Sequence, residues 1–245
     1  MAHSLYMIQL SVNLEALLRF LTYQGLNTPL DEDLGYGVHA WLKALFRDLA
    51  PKPFRLFPAT RGRGPAKLLA YAPVDGDSLS EHAFMFAEPS ARAVCSLDTD
   101  LFSAPMPAPE AWRSGRRLGF EVLVCPVARR SRDGTERDFF LHRADSTGPQ
   151  AGLRREEVYA DWLATHLWPA ANLNEVRLTQ FRLVRQLRQG ARSSDVRQRA
   201  RLVRPQALLK GQLTIADSDG FAGLLARGVG RHRSFGYGML LLRPL

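Results

Sequence analysis

The order in which the hydrophobic periodicities change along this chain is the strongest constraint on what it can fold into. Leu5–Val12 is a run of apolar and β-forming residues and predicts an opening strand. Leu14–Leu21 predicts a short helix or structured loop, closed by turn residues at Gly25–Pro29. Asp31–Leu49 carries Leu34, Val38, Trp41, Leu42, Leu45 and Phe46 at helical spacing, with Asp31 or Asp33 as cap and Pro51 and Pro53 as stop. Phe54–Phe57 and Lys67–Tyr71 predict two strands about the loop Arg61–Gly64. Asp77–Ala87 predicts a second helix and Leu118–Pro126 a further strand. Strand, helix, two strands, helix, strand is the order of a ferredoxin-like unit.

The polar stretch Ala128–Glu136 predicts a domain boundary, which divides the chain into 1–130 and 131–245. Past it, Asp138–His142 predicts a strand, and Arg155–Leu167 a helix with Val158, Trp162 and Leu163 on its apolar side. Leu208–Ala216 alternates as a half-buried strand, Asp217–Ala226 is a short helix, and Phe235–Leu242 is the last strand. The fold expected is therefore α+β, with two tandem ferredoxin-like (RRM-like) domains. The second holds an inserted arginine-rich segment at about 174–204 and a glycine-rich loop at 228–238. Val176, Leu178, Phe181, Val184 and Leu187 predict at least one amphipathic helix in the insertion, interrupted at Gly190–Asp195.

Charge narrows the partners. The 245 residues hold 33 Lys+Arg against 24 Asp+Glu, a net charge of +9. Arg177, Arg182, Arg185, Arg188, Arg192, Arg197, Arg199, Arg201 and Arg204 share 28 residues with one acid, Asp195, a local balance of +8. Arginine outnumbers lysine 29 to 4 over the whole chain, so compositional bias accounts for the kind of cation but not for the missing acids. This pattern predicts a surface that meets polyphosphate, with nucleic acid ahead of a merely solvated face. No stretch approaches the roughly 18 apolar residues of a membrane helix, and the first residues lack a signal-peptide pattern. Cys95 and Cys125 alone make neither a disulfide framework nor a zinc site. The expectation is a cytoplasmic protein with inert buried thiols, no cofactor, no metal and no membrane partner.

The most specific motif is Gly228-Val-Gly-Arg-His-Arg-Ser-Phe-Gly-Tyr-Gly238, followed by an apolar strand. Four glycines and three basic side chains suit a loop whose backbone approaches phosphates, or a tight turn packed on a neighbour. A dinucleotide fingerprint needs a strand before the glycines and a helix after them, and the order here is the reverse.

This motif resembles the C-terminal glycine-rich loop of the CRISPR repeat endoribonucleases, and its wording is closest to the CasE branch of type I-E systems. The resemblance extends to the opening strand, the helix bearing Tyr36-Gly-Val-His39, the Phe139–His142 segment and the Arg155–Leu163 helix. It implies two ferredoxin-like domains, metal-independent cleavage of the repeat transcript at the base of a stem-loop, and effector-complex subunits as partners. Type IV relatives share the loop; in them an arginine-based site, here Arg19, Arg231 and Arg233, can replace a histidine one.

Metal-free RNA cleavage needs a base for the ribose 2′-OH, an acid for the departing 5′-oxygen and positive charge near the phosphate. His39 and Tyr36, one helical turn apart, are the candidate catalytic pair, with His232 as second histidine. The nine arginines above, with Gly228, Gly230, Arg231, His232, Arg233, Gly236 and Gly238, are the candidate RNA-binding residues. A non-catalytic RNA-binding subunit is the alternative class. It lacks support from any aromatic-rich strand signature for stacking single-stranded bases.

Overall fold

The computed structural model describes residues 4–26, 34–59, 64–129, 134–147, 152–189 and 199–245, and within them the side chains of all but 147, 186–189 and 199–202. The first half is built from β1 (Tyr6–Val12), α1 (Leu14–Tyr23), α2 (Gly35–Phe46), β2 (Phe54–Phe57), β3 (Ala66–Ala72), α3 (Gly76–Phe86), the short α4 (Pro89–Arg92) and α5 (Leu97–Asp100), and β4 (Leu101–Pro105). The strands form one antiparallel sheet in the order β2-β3-β1-β4, the interleaved order of a ferredoxin-like unit. Along β1, Ile8, Leu10 and Val12 are fully buried, and α1 and α2 cover them with Leu17, Leu21, Val38, Trp41 and Leu45. Side-chain caps set two of the helix starts. Asn13 accepts from the Ala16 amide at 3.0 Å, and Asp75 accepts from the Ser78 amide at 2.9 Å. The expected caps of α2, Asp31 and Asp33, lie outside the described residues, and Leu34 at its cap position makes no side-chain cap bond.

The second half comprises β5 (Arg117–Val124), the small ribbon β6 (Val127–Arg129) and β7 (Glu136–Asp138), α6 (Phe139–Thr147), α7 (Arg155–Leu167), β8 (Ala171–Gln189), β9 (Arg199–Ile215), α8 (Ser218–Arg227) and β10 (Leu240–Arg243). Its sheet runs β10-β5-β9-β8, the same interleaved order once more. Val158, Tyr159, Trp162 and Leu163 of α7 and Phe221, Leu224 and Leu225 of α8 pack on Leu209, Leu213 and Ile215 of β9. Burial of the two thiols is as expected, and burial followed by Asp100 pushes the Cys95 thiol up to about 12. Among the described residues no helix is long and apolar enough to cross a membrane.

Three expectations are corrected. The basic insertion is not helical: β8 and β9 are a long antiparallel hairpin of 19 and 17 residues. Two β-bulges, between Leu173 and Glu175 and between Leu178 and Gln180, each add a residue to β8. Leu173, Val176, Leu178 and Phe181 therefore stand opposite Leu213, Gly211, Leu209 and Ala207 on one face, and their uneven spacing imitates a helical stripe. Second, Phe139–His142 lies in α6 rather than in a strand; Asp138 accepts from the Phe140 amide at 2.9 Å and turns the chain into a helix despite its β-favouring aromatics. Third, the strand at Leu118–Val124 opens the second sheet by pairing with β9 and β10, so the sheets divide before β5 and not at 130. The fourth strand of the first sheet is β4, an edge strand almost wholly exposed, with no alternation to betray it.

The two units touch through buried polar contacts as well as apolar ones. The Tyr71 hydroxyl of β3 donates to the Leu240 carbonyl of β10 at 2.9 Å. Arg55 of β2 pairs with Glu121 of β5 at 3.2 Å, and Lys210 of β9 completes the trio at 2.7 Å from Glu121. Replacing Tyr71 by Phe removes the buried donor and should cost about 1 kcal/mol. Urea unfolding should show a lower midpoint with an unchanged slope.

Candidate active site

Tyr36 and His39 sit one turn apart near the start of α2, both half-buried. A 3-10 turn at Arg233–Phe235 in the glycine-rich loop lies against this helix. It inserts the Phe235 ring between the candidate groups: its centroid is 5.7 Å from Tyr36, 5.4 Å from His39 edge-on, and 6.0 Å from His232 in a stacked arrangement. Thus the loop brings His232 from the second unit to the same aromatic ring that Tyr36 and His39 touch from the first. The loop residues Gly230–Phe235 line a concavity of about 440 Å³.

Burial lowers the pKa of both imidazoles. Burial, then Lys43 and Lys52, hold the pKa of His39 below its ordinary value. Burial also lowers that of His232, assisted by Arg204 and Arg231, while Glu136 opposes the shift. Glu136 itself is held below the usual carboxylate range: burial would raise it, but His232, Arg231 and Arg204 outweigh that.

Phosphate approach and tight packing were both open for the glycines; the geometry accounts for them by packing. Gly228, Gly230, Gly236 and Gly238 all have positive φ, from 74° to 87°. A Cβ on Gly230 would stand 2.5 Å from the Trp162 ring of α7, and one on Gly238 would stand 2.3 Å from the Val229 carbonyl oxygen. Val229 donates to Gly238 at 2.8 Å and Gly238 donates to Leu123 of β5 at 2.7 Å, which closes the loop on itself and on the sheet.

The basic residues divide. Arg177, Arg182 and Arg185 are exposed on β8. Alternation along a strand puts Arg182 and Arg185, three apart, on opposite faces, so the single row expected of a helix does not form. Arg188, Arg199 and Arg201 lie on the hairpin strands without described side chains, and Arg192 and Arg197 lie outside the described residues. Arg204 is turned inward: its side chain is 7% exposed and pairs with Glu136 at 2.8 Å, so it does not belong to the exposed surface. Arg231 also pairs with Glu136, and Arg233 donates to the Arg227 carbonyl at 2.7 Å. Arg19 is exposed on α1 and paired with Glu15. Sequence reasoning missed Phe235 as the ring that gathers the candidate site, Lys43 and Lys52 as neighbours of His39, and Glu136, an acid at the end of a supposed linker that carries no local signal.

Residues 5–244 match the family described as CRISPR associated protein. The chain belongs to that family. No curated protein matches the sequence of this CRISPR-associated protein. Among solved structures it is similar to the CRISPR endoribonuclease Cse3 bound to a 19-nucleotide RNA, at 19% identity over 98% of this chain and 100% of the other, with a TM-score of 0.64. Thermus thermophilus Cse3, bound to an RNA representing a pre-cleavage complex, matches at 18% identity over 98% and 100%, with a TM-score of 0.62. A chain of a CRISPR RNA-guided surveillance complex matches at 17% identity over 98% and 100%, with a TM-score of 0.54. At these identities the likeness is one of fold, and that fold is the pair of ferredoxin-like units described above.

The loop geometry is directly testable. Gly238→Ala combines a left-handed backbone with a backbone clash and should cost about 2 kcal/mol or more. A fall in the urea midpoint of that size is expected, whereas Gly25→Ala, at an open position with nothing within 4 Å, should cost less.

Proposed function

We propose that this protein is a metal-independent endoribonuclease that cleaves CRISPR repeat transcripts at the base of a stem-loop and stays bound to the product hairpin as an effector-complex subunit. The observation that carries the reading is the meeting of Tyr36, His39 and His232 around Phe235, beside a loop with two further cations. Family membership and the fold shared with RNA-bound Cse3 support it.

In this mechanism the ribose 2′-oxygen attacks the adjacent phosphorus, the bond to the 5′-oxygen breaks, and the products are a 2′,3′-cyclic phosphate and a 5′-hydroxyl. His39, with its pKa below the ordinary value, is neutral near pH 7 and accepts the 2′-OH proton. The departing 5′-oxygen takes a proton from the imidazolium form of His232, the second histidine at the ring, which returns to the neutral imidazole. Tyr36 donates to a phosphate oxygen, and Arg231 and Arg233 offset the charge that grows on the phosphate. The β8–β9 hairpin holds the RNA stem through phosphate contacts, since an A-form helix is read mainly by shape and backbone.

The test is incubation of purified protein with labelled repeat RNA in EDTA. Site-specific cutting with a cyclic-phosphate end is expected, and a 2′-deoxyribose before the scissile bond should abolish cutting but not binding. Retention without cutting would instead make the protein a binding subunit. His39→Ala should lower the single-turnover rate by about 100-fold or more with affinity nearly unchanged, and Tyr36→Phe should have a smaller effect. A wild-type rate in His39→Ala would turn attention to Arg19, Arg231 and Arg233.

The hairpin generates a separate prediction. Replacing Arg177 and Arg185 together by Ala should weaken stem-loop binding and flatten the dependence of log affinity on log salt by about one unit per lost phosphate contact. The rate at saturating protein should barely change. A collapsed rate with an unaltered salt slope would place these arginines in the chemistry instead.

A further inference from the structure

Glu136 opens β7 and its side chain is only 7% exposed, yet its two oxygens receive two guanidinium groups and an imidazole from two elements. Oε1 accepts from Arg231 Nε at 2.6 Å. Oε2 lies 2.8 Å from His232 Nε2 and 2.8 Å from Arg204 Nη2, while Arg204 Nη1 also donates to the Glu136 carbonyl at 2.9 Å. Arg231 and His232 belong to the glycine-rich loop, whereas Arg204 belongs to β9 of the hairpin. One buried carboxylate thus fastens the loop to the strand that carries the basic hairpin.

Two further features point the same way. His232 adopts a left-handed backbone, φ 60° and ψ 26°, which a side chain with a Cβ adopts at some cost unless its surroundings hold it. A second polar bridge runs parallel to the first: Arg182 of β8 donates to Gln206 of β9, and Gln206 Nε2 donates to the Tyr237 hydroxyl in the loop at 3.1 Å. Hairpin and loop are therefore joined twice through buried side chains.

We propose that Glu136 is a positioning residue of the cleavage site, which ties the loop to the hairpin and orients His232. A carboxylate only accepts, so His232 carries its proton on Nε2 and Nδ1 is the ring nitrogen left for substrate. The charged groups that face the imidazole are Glu136 from β7, Arg204 from β9 and Arg231 from the loop. Glu136 alone of these favours the imidazolium, the form that donates a proton from Nδ1. This inference rests on the reading above for its catalytic consequence, but the Glu136–His232 tie is measurable without RNA.

The experiment is a pH titration of the RNA-free protein with isotope-labelled histidine, followed by NMR, for wild type and Glu136→Gln. The His232 midpoint should move to lower pH by roughly one unit, its ring 15N shifts should lose the Nε2–H signature, and His39 should not move. In single-turnover cleavage at saturating protein, Glu136→Gln should slow the reaction about 10–100-fold with RNA affinity little changed, and should add nothing in a His232→Ala background. Because Glu136→Gln leaves Arg204 buried without its counter-charge, Glu136→Gln/Arg204→Met is compared in parallel with Arg204→Met alone. An unmoved His232 midpoint and tautomer in a folded variant would overturn the proposal, as would an equal rate loss with and without His232. A shifted midpoint in a protein that never cuts RNA would retain the tie and refute the endoribonuclease reading instead.

Discussion

The candidate site is divided between two folding units, so everything proposed for it depends on the contact that holds those units in register. Tyr36 and His39 ride on a helix of the first sheet; His232 and Phe235 ride on a loop that leads into the edge strand of the second. Neither sheet alone presents the three groups. The Tyr71–Leu240 hydrogen bond, the Arg55–Glu121–Lys210 trio and the apolar packing of Tyr71 into the second core fix the approach. A rotation between the units would change the spacing of the imidazoles, which is why positioning at such a junction has leverage on rate.

The loop is closed by hydrogen bonds to itself and to the sheet. Its glycines serve left-handed turns and close contacts, and Trp162 of α7 forms the floor beneath Gly230. The basic side chains project from a frame that its own hydrogen bonds and the sheet already hold. Preorganised donors of this kind act on charge that develops during reaction without first having to reorient. Arg204 belongs to that frame. It contributes to the arginine-rich segment in sequence, yet in space it is a buried counter-ion, and a buried pair gives geometric definition more surely than net stability.

The hairpin follows from a different physics. Strand β8 carries exposed arginines, and β8 and β9 carry exposed apolar residues such as Leu183 and Val203 beyond the body of the sheet. A long two-stranded arm can project basic side chains from both faces, whereas a helix would offer one row. That suits a duplex, whose phosphates flank the groove on either side. The bulges near its base add local twist and turn the arm relative to the sheet from which it grows.

The sequence by itself determined the α+β class, the twofold use of one strand-and-helix plan, most of the helices, and the loop and the Tyr-x-x-His helix as the places to look. Most of those features rest on local periodicity and on residue types whose backbone chemistry is distinctive at short range, and the Tyr-x-x-His helix rests also on the resemblance to the CRISPR repeat endoribonucleases. Tertiary structure alone decided the rest. The arm is a hairpin because β9 pairs with β8, a partner about 30 residues away that no window of β8 reveals; its two bulges spoil the alternation that would have marked a strand. The strand at Leu118–Val124 belongs to the second sheet because its partners come later in the chain, and local sequence does not encode which neighbour a strand will choose. Glu136 became a candidate for the site only when β7, β9 and the loop converged, since a single carboxylate acquires meaning from the two guanidinium groups and the imidazole folded around it.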